Sequence, residues 1–280
     1  LVKYWFSITD DEQHLPTLKA LCPDLHVERI APRTARLMSL TGLLHGEALT
    51  LAYYRSAGMQ RWVRQVAQSH ELQASVVFSS AMAQYAQPLA PRVPMLVDFV
   101  DVDSAKWTQY AADRRWPMSW LYRREGERLL AFERVAAADC DACLFVTEAE
   151  ADLFRAAAPE LSTRVGVMHN GVDADFFSPA NGGQSPYPPG GPVIVFSGAM
   201  DYWPNIDAVT WFATELLPRI RDAMPGVRFC IVGMNPAPAV QALAGEGVTV
   251  TGTVPDVRPY IAHADVVVAP LRIARGIQNK

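Results

Sequence analysis

The stretch Val193-Ile194-Val195-Phe196-Ser197-Gly198-Ala199-Met200-Asp201-Tyr202-Trp203-Pro204-Asn205 decides the fold class. Its first residues are an apolar, mostly β-branched run, the form expected of a strand covered on both faces of a parallel sheet. Gly198 permits close backbone approach, and the residues from Asp201 to Asn205 open a helix with Asn205 as the expected N-cap. Strand, glycine turn and helix make one βα unit. The same alternation continues downstream, with helix 205–224, strand 228–232, helix 238–244, strand 248–251, helix 255–263 and strand 265–269. Upstream, short apolar runs at 2–8, 27–30, 76–79, 95–100, 143–147 and 165–168 read as strands, and 60–68 and 120–138 carry helical spacing. In the second of these, Arg123, Arg124, Glu125, Glu127, Arg128, Glu133 and Arg134 read as a solvated face laced with ion pairs.

Residues 180–192 interrupt the pattern with four prolines, four glycines and a serine, which neither a helix nor a central strand accommodates. They are expected to form a flexible linker between a first domain, 1–179, and a second, 193–280. A length of 280 residues agrees with two domains. Half the residues are hydrophobic and 19% charged, which excludes global disorder, and the net charge of −4 lacks the basic footprint of a nucleic-acid binder. Four scattered cysteines do not make a disulfide framework, so a reducing compartment is expected. No apolar run has the length of a membrane span, and the first residues do not read as an export leader. Starting without Met and stopping at Lys280, the chain is expected to be an internal piece of a longer one.

In an open parallel sheet, ligands bind outside the carboxyl ends of the strands. Gly198, Ala199 and Met200 follow the strand 193–197, where the amides of the next helix favour a phosphate. Gly233 and Met234 follow the strand 228–232 and leave room for a flat ligand. After the strand 265–269 come Arg272, Arg275, Gly276 and Lys280 with no acid among them. This is either a diphosphate clamp or a solvated basic loop. Asp101 and Asp103 follow the strand 95–100. They can take sugar hydroxyls or orient an acceptor, while Asp103 or Ser104 can equally cap the next helix. With no third carboxylate or histidine beside them, no metal site is expected. Cys140 and Cys143 have redox spacing but lie between a helix end and a strand, where core or loop cysteines are expected. The six histidines show no zinc spacing, and no Gly-x-Ser-x-Gly elbow is present.

The run His169-Asn170-Gly171-Val172-Asp173-Ala174-Asp175-Phe176-Phe177-Ser178-Pro179, the block Phe196 to Asn205, and the block Gly252 to Leu271 with Val254-Pro255-Asp256-Val257 and Ala264-Asp265-Val266 resemble the retaining glycosyltransferases of the GT-B fold, family four. Pro270-Leu271-Arg272-Ile273 with Gly276 and Lys280, together with residues 97–104, resemble the subgroup tied to exopolysaccharide clusters of bacteria with exosortase (PEP-CTERM) sorting. The resemblance implies an α/β protein of two Rossmann-like parallel-sheet domains, truncated at both ends. It would transfer a hexose-type sugar from a UDP or GDP donor to a polysaccharide or lipid-linked acceptor, without a cofactor. The second domain would hold the donor: Gly198, Ala199, Met200 and Gly276 at the phosphates, Arg272 and Lys280 as the catalytic cations, and Gly233, Met234 and Val254 near the base. The first domain would hold the acceptor near Asp101 and Asp103. Nucleic acid is not an implied partner. The location implied is cytoplasmic, extending to the inner face of the plasma membrane through contact with the acceptor.

The sequence departs from the family pattern at several points. The loop 199–203 lacks the family's Arg and Lys, a displaced role for Arg272 and Lys280. Val100 stands where the family tends to have His. Arg275 occupies the first of two glutamate positions, and the second falls beyond Lys280. The family's first βα unit is expected to be missing, and turnover of the isolated piece is expected to be low or absent. A two-lobed sugar-binding protein without catalysis, or a GT-B nucleotide-sugar epimerase, are the alternatives.

Overall fold

The computed structural model describes residues 2–7, 15–22, 24–112 and 114–272. The chain divides into two compact units, Leu1–His169 and Asn170–Lys280.

In the first unit, strands β3 (Ser75–Phe78), β4 (Met95–Val100), β5 (Ala142–Phe145) and β6 (Val165–Val167) form a parallel sheet in sequential order. Strands β1 (Val2–Ser7) and β2 (Asp24–Arg29) pair in parallel as a separate two-stranded sheet. Val97, Phe99, Cys143 and Phe145 are buried from the central strands, with Phe154 on the rings of Phe99 and Phe145. All six expected strands occur, with ends that differ from the expectation by at most three residues. Helices at Leu15–Leu21, Pro32–Ser39, Thr41–His45, Leu49–Tyr53 and Glu148–Ala157 had no reading in the sequence. The first four are short, and one or two turns give a 3.6-residue pattern little length in which to declare itself.

The second unit is a parallel sheet of β7 (Val193–Ser197), β8 (Arg228–Val232), β9 (Val248–Val250) and β10 (Val266–Val267), in the order β10-β7-β8-β9. Burial on both faces explains the nearly continuous apolar sequence of β7 and β8. Ile194, Phe196, Phe229 and Ile231 meet Met200, Phe212 and Leu217 on one side, while Val193, Val195, Cys230 and Val232 meet Tyr187, Val254, Val257 and Tyr260 on the other. The expected helix 205–224 begins earlier, at Trp203, and contains a π-helical turn at Phe212–Leu216 between Trp203–Trp211 and Leu217–Ala223. The shortest element, β10, is two residues rather than the five expected.

The segment expected as a flexible linker is packed onto the second unit. The Tyr187 hydroxyl donates to the Tyr260 carbonyl at 2.6 Å, and the Arg228 guanidinium donates to the carbonyls of Pro188 and Gly191. Proline and glycine forbid regular structure here, yet their exposed carbonyls suit an arginine fork. The run after His169 also belongs to this unit: Arg258, paired with Asp256, lies 3.9 Å from the Phe176 ring centroid.

Candidate functional site

The order β10-β7-β8-β9 creates a topological switch point between β7 and β10. The chain runs outward from β7 to β9, then crosses to the opposite side of β7. In parallel sheets, ligands lodge at the carboxyl ends beside such a point. Gly198, Ala199 and Met200 leave β7 there, and Pro270 to Arg272 follow β10. Gly233 and Met234 leave β8 at the same end, as does Val254 after β9. The Gly233 N–H donates to the Gly252 carbonyl, joining the last two loops.

The β7 loop is tied down. The Gly198 N–H donates to the Val232 carbonyl at 3.0 Å and the Met200 N–H to the Met234 carbonyl at 2.8 Å. Met200 is fully buried, while Met234 is exposed. Gly233 is required sterically, since a Cβ there would stand 1.6 Å from the Gly198 carbonyl oxygen. The expectation for Asn205 is corrected: Tyr202 is the N-cap residue, and Asn205 lies buried in the first turn. Its side-chain amide donates to the Ala199 carbonyl at 2.8 Å, so it pins the loop rather than capping the helix. Pro204 explains the earlier start, because proline suits the first turn, where its missing N–H costs nothing.

Arg272 stands beside this helix. Its guanidinium grips the Asp207 carboxylate through Nε at 3.0 Å and through a second nitrogen, and lies 5.3 Å from the Trp211 ring centroid. Asp207 and Trp211 are one turn apart and share a helix face. The positive charge is therefore already matched by an acid. Gly276 and Lys280 lie outside the described residues.

Two adjoining cavities lie in the first unit, the larger beside the segments that follow β3 and β4 and the smaller beside the end of β2. One, of about 550 Å³, is lined by Arg36, Tyr53, Tyr54, Lys106, Trp107 and Tyr110 among others, with Asp103 at its wall. The second, of about 340 Å³, lies against Arg29, Met38 and Arg55 and shares Tyr53 and Tyr54. Asp101 and Asp103 are brought together by Lys106, whose ammonium donates to them at 2.8 and 3.1 Å. Burial alone would lower the Lys106 pKa, but the two carboxylates outweigh it and hold it above the ordinary lysine value. The second Asp103 oxygen accepts from the Ser80 hydroxyl at 2.7 Å. Asp101 Oδ1 is buried without a hydrogen-bond partner. Both strands leading here end in residues with positive φ, Ser79 at 76° and Val100 at 68°. For a β-branched valine this is strained backbone, of the kind that clusters at binding sites.

The helix Met118–Asp139 supports this site from below, and here the reading of a solvated charged face is corrected. Glu125 and Glu133 are buried. Glu125 accepts from the N–H groups of Leu49 and Thr50, opening the helix Leu49–Tyr53, and Glu133 accepts from the N–H and hydroxyl of Ser104, opening the helix Asp103–Ala112. Glu150 does the same for the Val102 N–H. Carboxylates take orphan amides at helix starts as well from a distant segment as from the cap position itself. Burial pushes the Glu133 carboxyl up to about 8. Gly126 permits the approach, since a Cβ there would meet Thr108 Oγ1 at 2.5 Å. These acids had no sequence signal beyond their spacing, with Glu125 and Glu133 two turns apart on one face. Cys140 and Cys143 are buried free thiols in the core.

Residues 191–280 match the family model described as Glycosyl transferases group 1. This match covers the second unit from just ahead of β7. Among solved structures, an α,α-trehalose-phosphate synthase (UDP-forming) from Burkholderia vietnamiensis is 12% identical with a TM-score of 0.58, over 96% of this chain and 78% of that one. Sucrose-phosphate synthase from Thermosynechococcus elongatus is 12% identical with a TM-score of 0.55, over 96% and 75%. HepE from Anabaena, solved with UDP and glucose, is 14% identical with a TM-score of 0.50, over 94% and 72%. At these identities the likeness shows the fold, that of GT-B neighbours built on two parallel α/β sheets. No curated protein sequence matches the chain.

Proposed function

We propose that the chain is a retaining glycosyltransferase that moves a hexose-type sugar from a UDP or GDP donor to a polysaccharide or lipid-linked acceptor in bacterial exopolysaccharide synthesis. The observation that carries the reading is the coincidence of the group 1 match over 191–280 with the β7/β10 switch point. On this reading the diphosphate lies over Gly198, Ala199 and Gly276, and the base lies against Gly233, Met234 and Val254. Arg272 and Lys280 stabilise the departing diphosphate, whose charge grows in the transition state. The diphosphate competes with Asp207 for the Arg272 guanidinium, so the cation is pre-oriented but not free in the resting state. No cofactor beyond the donor is required.

The acceptor sugar lies in the aromatic cavity of the first unit. Trp107, Tyr110 and Tyr53 offer flat apolar faces, and Asp103 and Lys106 in the same lining offer polar partners for sugar hydroxyls. The location that fits such chemistry is cytoplasmic. Calorimetric titration of UDP and GDP, followed by a radiolabelled-donor assay with oligosaccharide and polyprenyl-linked acceptors, tests the reading. Absence of binding to both nucleotides sinks it, while tight binding without transfer leaves the sugar-binding alternative.

A further inference from the structure

The two cavities of the first unit are cationic, within a chain whose net charge is −4. Arg29, Arg36, Arg55 and Lys106 line them, against the acids Glu28 and Asp103. Both acids are already engaged. Asp103 takes the Lys106 ammonium and the Ser80 hydroxyl. Glu28 Oε1 lies 2.9 Å from His26 Nε2 and stands over the start of the helix Ala57–Ser69, where a Cβ on Gly58 would come within 2.1 Å of it. With Lys106 matched by Asp101 and Asp103, the excess of positive charge falls on the arginines.

Two of these arginines belong to the smaller cavity. Arg29 ends β2, and Arg55 precedes the helix Ala57–Ser69. Arg55 reaches Glu47 through one terminal nitrogen at 2.8 Å, in an exposed pair of the kind that contributes little. Its other side-chain nitrogens make no hydrogen bond among the described residues. Thr34 and Ser56 add hydroxyls to the same lining, and the Ser56 oxygen accepts from the Met59 N–H, which leaves its own proton to donate. The helix Pro32–Ser39 also begins here, with Ala31, Thr34 and Ala35 in the lining and no side-chain cap on its first turn. Its orphan amides reinforce a field that the arginine side chains set. Two guanidinium forks and two hydroxyls offer more donors than the two oxygens of a carboxylate use, and they suit the three terminal oxygens of a phosphoryl group.

We infer that the acceptor is a phosphorylated sugar whose phosphoryl group is held in the smaller cavity by Arg29 and Arg55. Tyr53 and Tyr54 line both cavities, so one ligand spans them, its sugar ring against Trp107 and Tyr110 and its phosphoryl group at the arginines. A neutral oligosaccharide would leave the cationic cavity unmatched, so the charge of the lining narrows the acceptor class. The inference rests on the placing of the acceptor in the larger cavity proposed above, and it makes no use of the nucleotide donor.

Calorimetric titration of the 280-residue chain in the absence of nucleotide tests it, with glucose, glucose 1-phosphate and glucuronate as probes. Glucose 1-phosphate is expected to bind roughly thirtyfold more tightly than glucose and more tightly than glucuronate. Arg29→Gln and Arg55→Gln are each expected to weaken glucose 1-phosphate roughly tenfold, as the loss of charge-assisted hydrogen bonds implies, and to leave glucose unchanged. Both positions are exposed, so circular-dichroism melting of the variants should match the parent. A further arm with glucosyl geranyl diphosphate separates the two sources of the phosphoryl group. Tighter binding there than with glucose 1-phosphate assigns it to a lipid-linked sugar, and the reverse assigns it to a free sugar phosphate. Equal affinity for glucose and glucose 1-phosphate, glucuronate binding as tightly as the phosphate, or parent-like binding in both variants would each overturn the inference. If UDP or GDP still binds, only the phosphorylated acceptor is lost, whereas loss of nucleotide binding as well removes the sugar-transfer reading beneath it.

Discussion

The Glu133 carboxylate, 1% exposed, accepts both the backbone N–H of Ser104 at 3.1 Å and its hydroxyl at 2.5 Å. One acid on the long helix thereby fixes the start of the helix that carries Asp103 and Lys106. The polar wall of the larger cavity is set from behind, by a residue that does not line it.

This relationship gives a pH dependence of defined sign. Burial raises the Glu133 carboxyl from an ordinary 4.5 to about 8. Between those values the folded state binds more protons than the unfolded one, so its contribution to stability falls as pH rises and levels off above the folded value. Glu133→Gln keeps an acceptor for the Ser104 N–H and a donor for its hydroxyl. Urea midpoints from pH 4 to 9 should therefore show a flatter profile for Glu133→Gln than for the parent. Parallel profiles would assign the slope elsewhere. Glu133→Ala strands the Ser104 amide and is expected to cost about 1–3 kcal/mol.

Gly233→Ala tests the close approach of the β7 and β8 loops. Its Cβ would fall 1.6 Å from the Gly198 carbonyl, and backbone must move. Overpacking of side chains costs roughly 1–3 kcal/mol, and a rigid carbonyl places this substitution at or above the upper end. Gly245→Ala, with nothing within 4 Å of the added carbon, is the control and should be nearly silent in thermal melts.

The β7 residues were legible because a strand buried on both faces writes its environment directly into composition, as Val193 to Phe196 do. The role of Asn205 was misread since Asn is a good cap in general, and only Pro204 ahead of it shifts the helix start. Glu125 and Glu133 were illegible for another reason. Their partners, Leu49 and Ser104, lie far away in sequence, and nothing local separates a buried acid from a solvated one on a charged helix. The pairing of Arg272 with Asp207 spans 65 residues and was equally hidden. Asp101 and Asp103 stand out in the sequence by their position after a strand, whereas nothing in the sequence marks Lys106 as the cation that joins them.

Arg272→Ala and Asp207→Asn separate a structural from a ligand-binding role. The pair is exposed, so either substitution is expected to change stability by only about 0–1 kcal/mol. If a diphosphate takes the guanidinium, Arg272→Ala should weaken UDP or GDP binding by roughly tenfold to a hundredfold, the worth of a charge-assisted hydrogen-bond pair. Asp207→Asn should bind at least as tightly as the parent, because the competing carboxylate is gone. Equal nucleotide affinity in all three proteins would leave the Asp207–Arg272 pair a fastening of β10 to its neighbouring helix and nothing more.

Asp101 provides the sharpest test of the ion-pair cluster that holds Lys106 at the wall of the first-unit cavity. One of its oxygens is held by Lys106 at 2.8 Å, and the other is buried with no partner. A buried unpaired oxygen is costly. Asp101→Asn removes one of the two charges that hold Lys106 at the cavity wall, and is expected to raise the acceptor KM while leaving nucleotide affinity unchanged. Lys106→Met leaves both carboxylates without their shared cation. The site is only partly buried, and the expected loss of stability, about 1–3 kcal/mol, falls between the values for exposed and buried ion pairs. The double substitution Asp101→Asn with Lys106→Met should cost less than the sum of the two, because the first change removes part of the repulsion that the second creates. Strict additivity in urea melts would mean that Lys106 holds Asp103 alone.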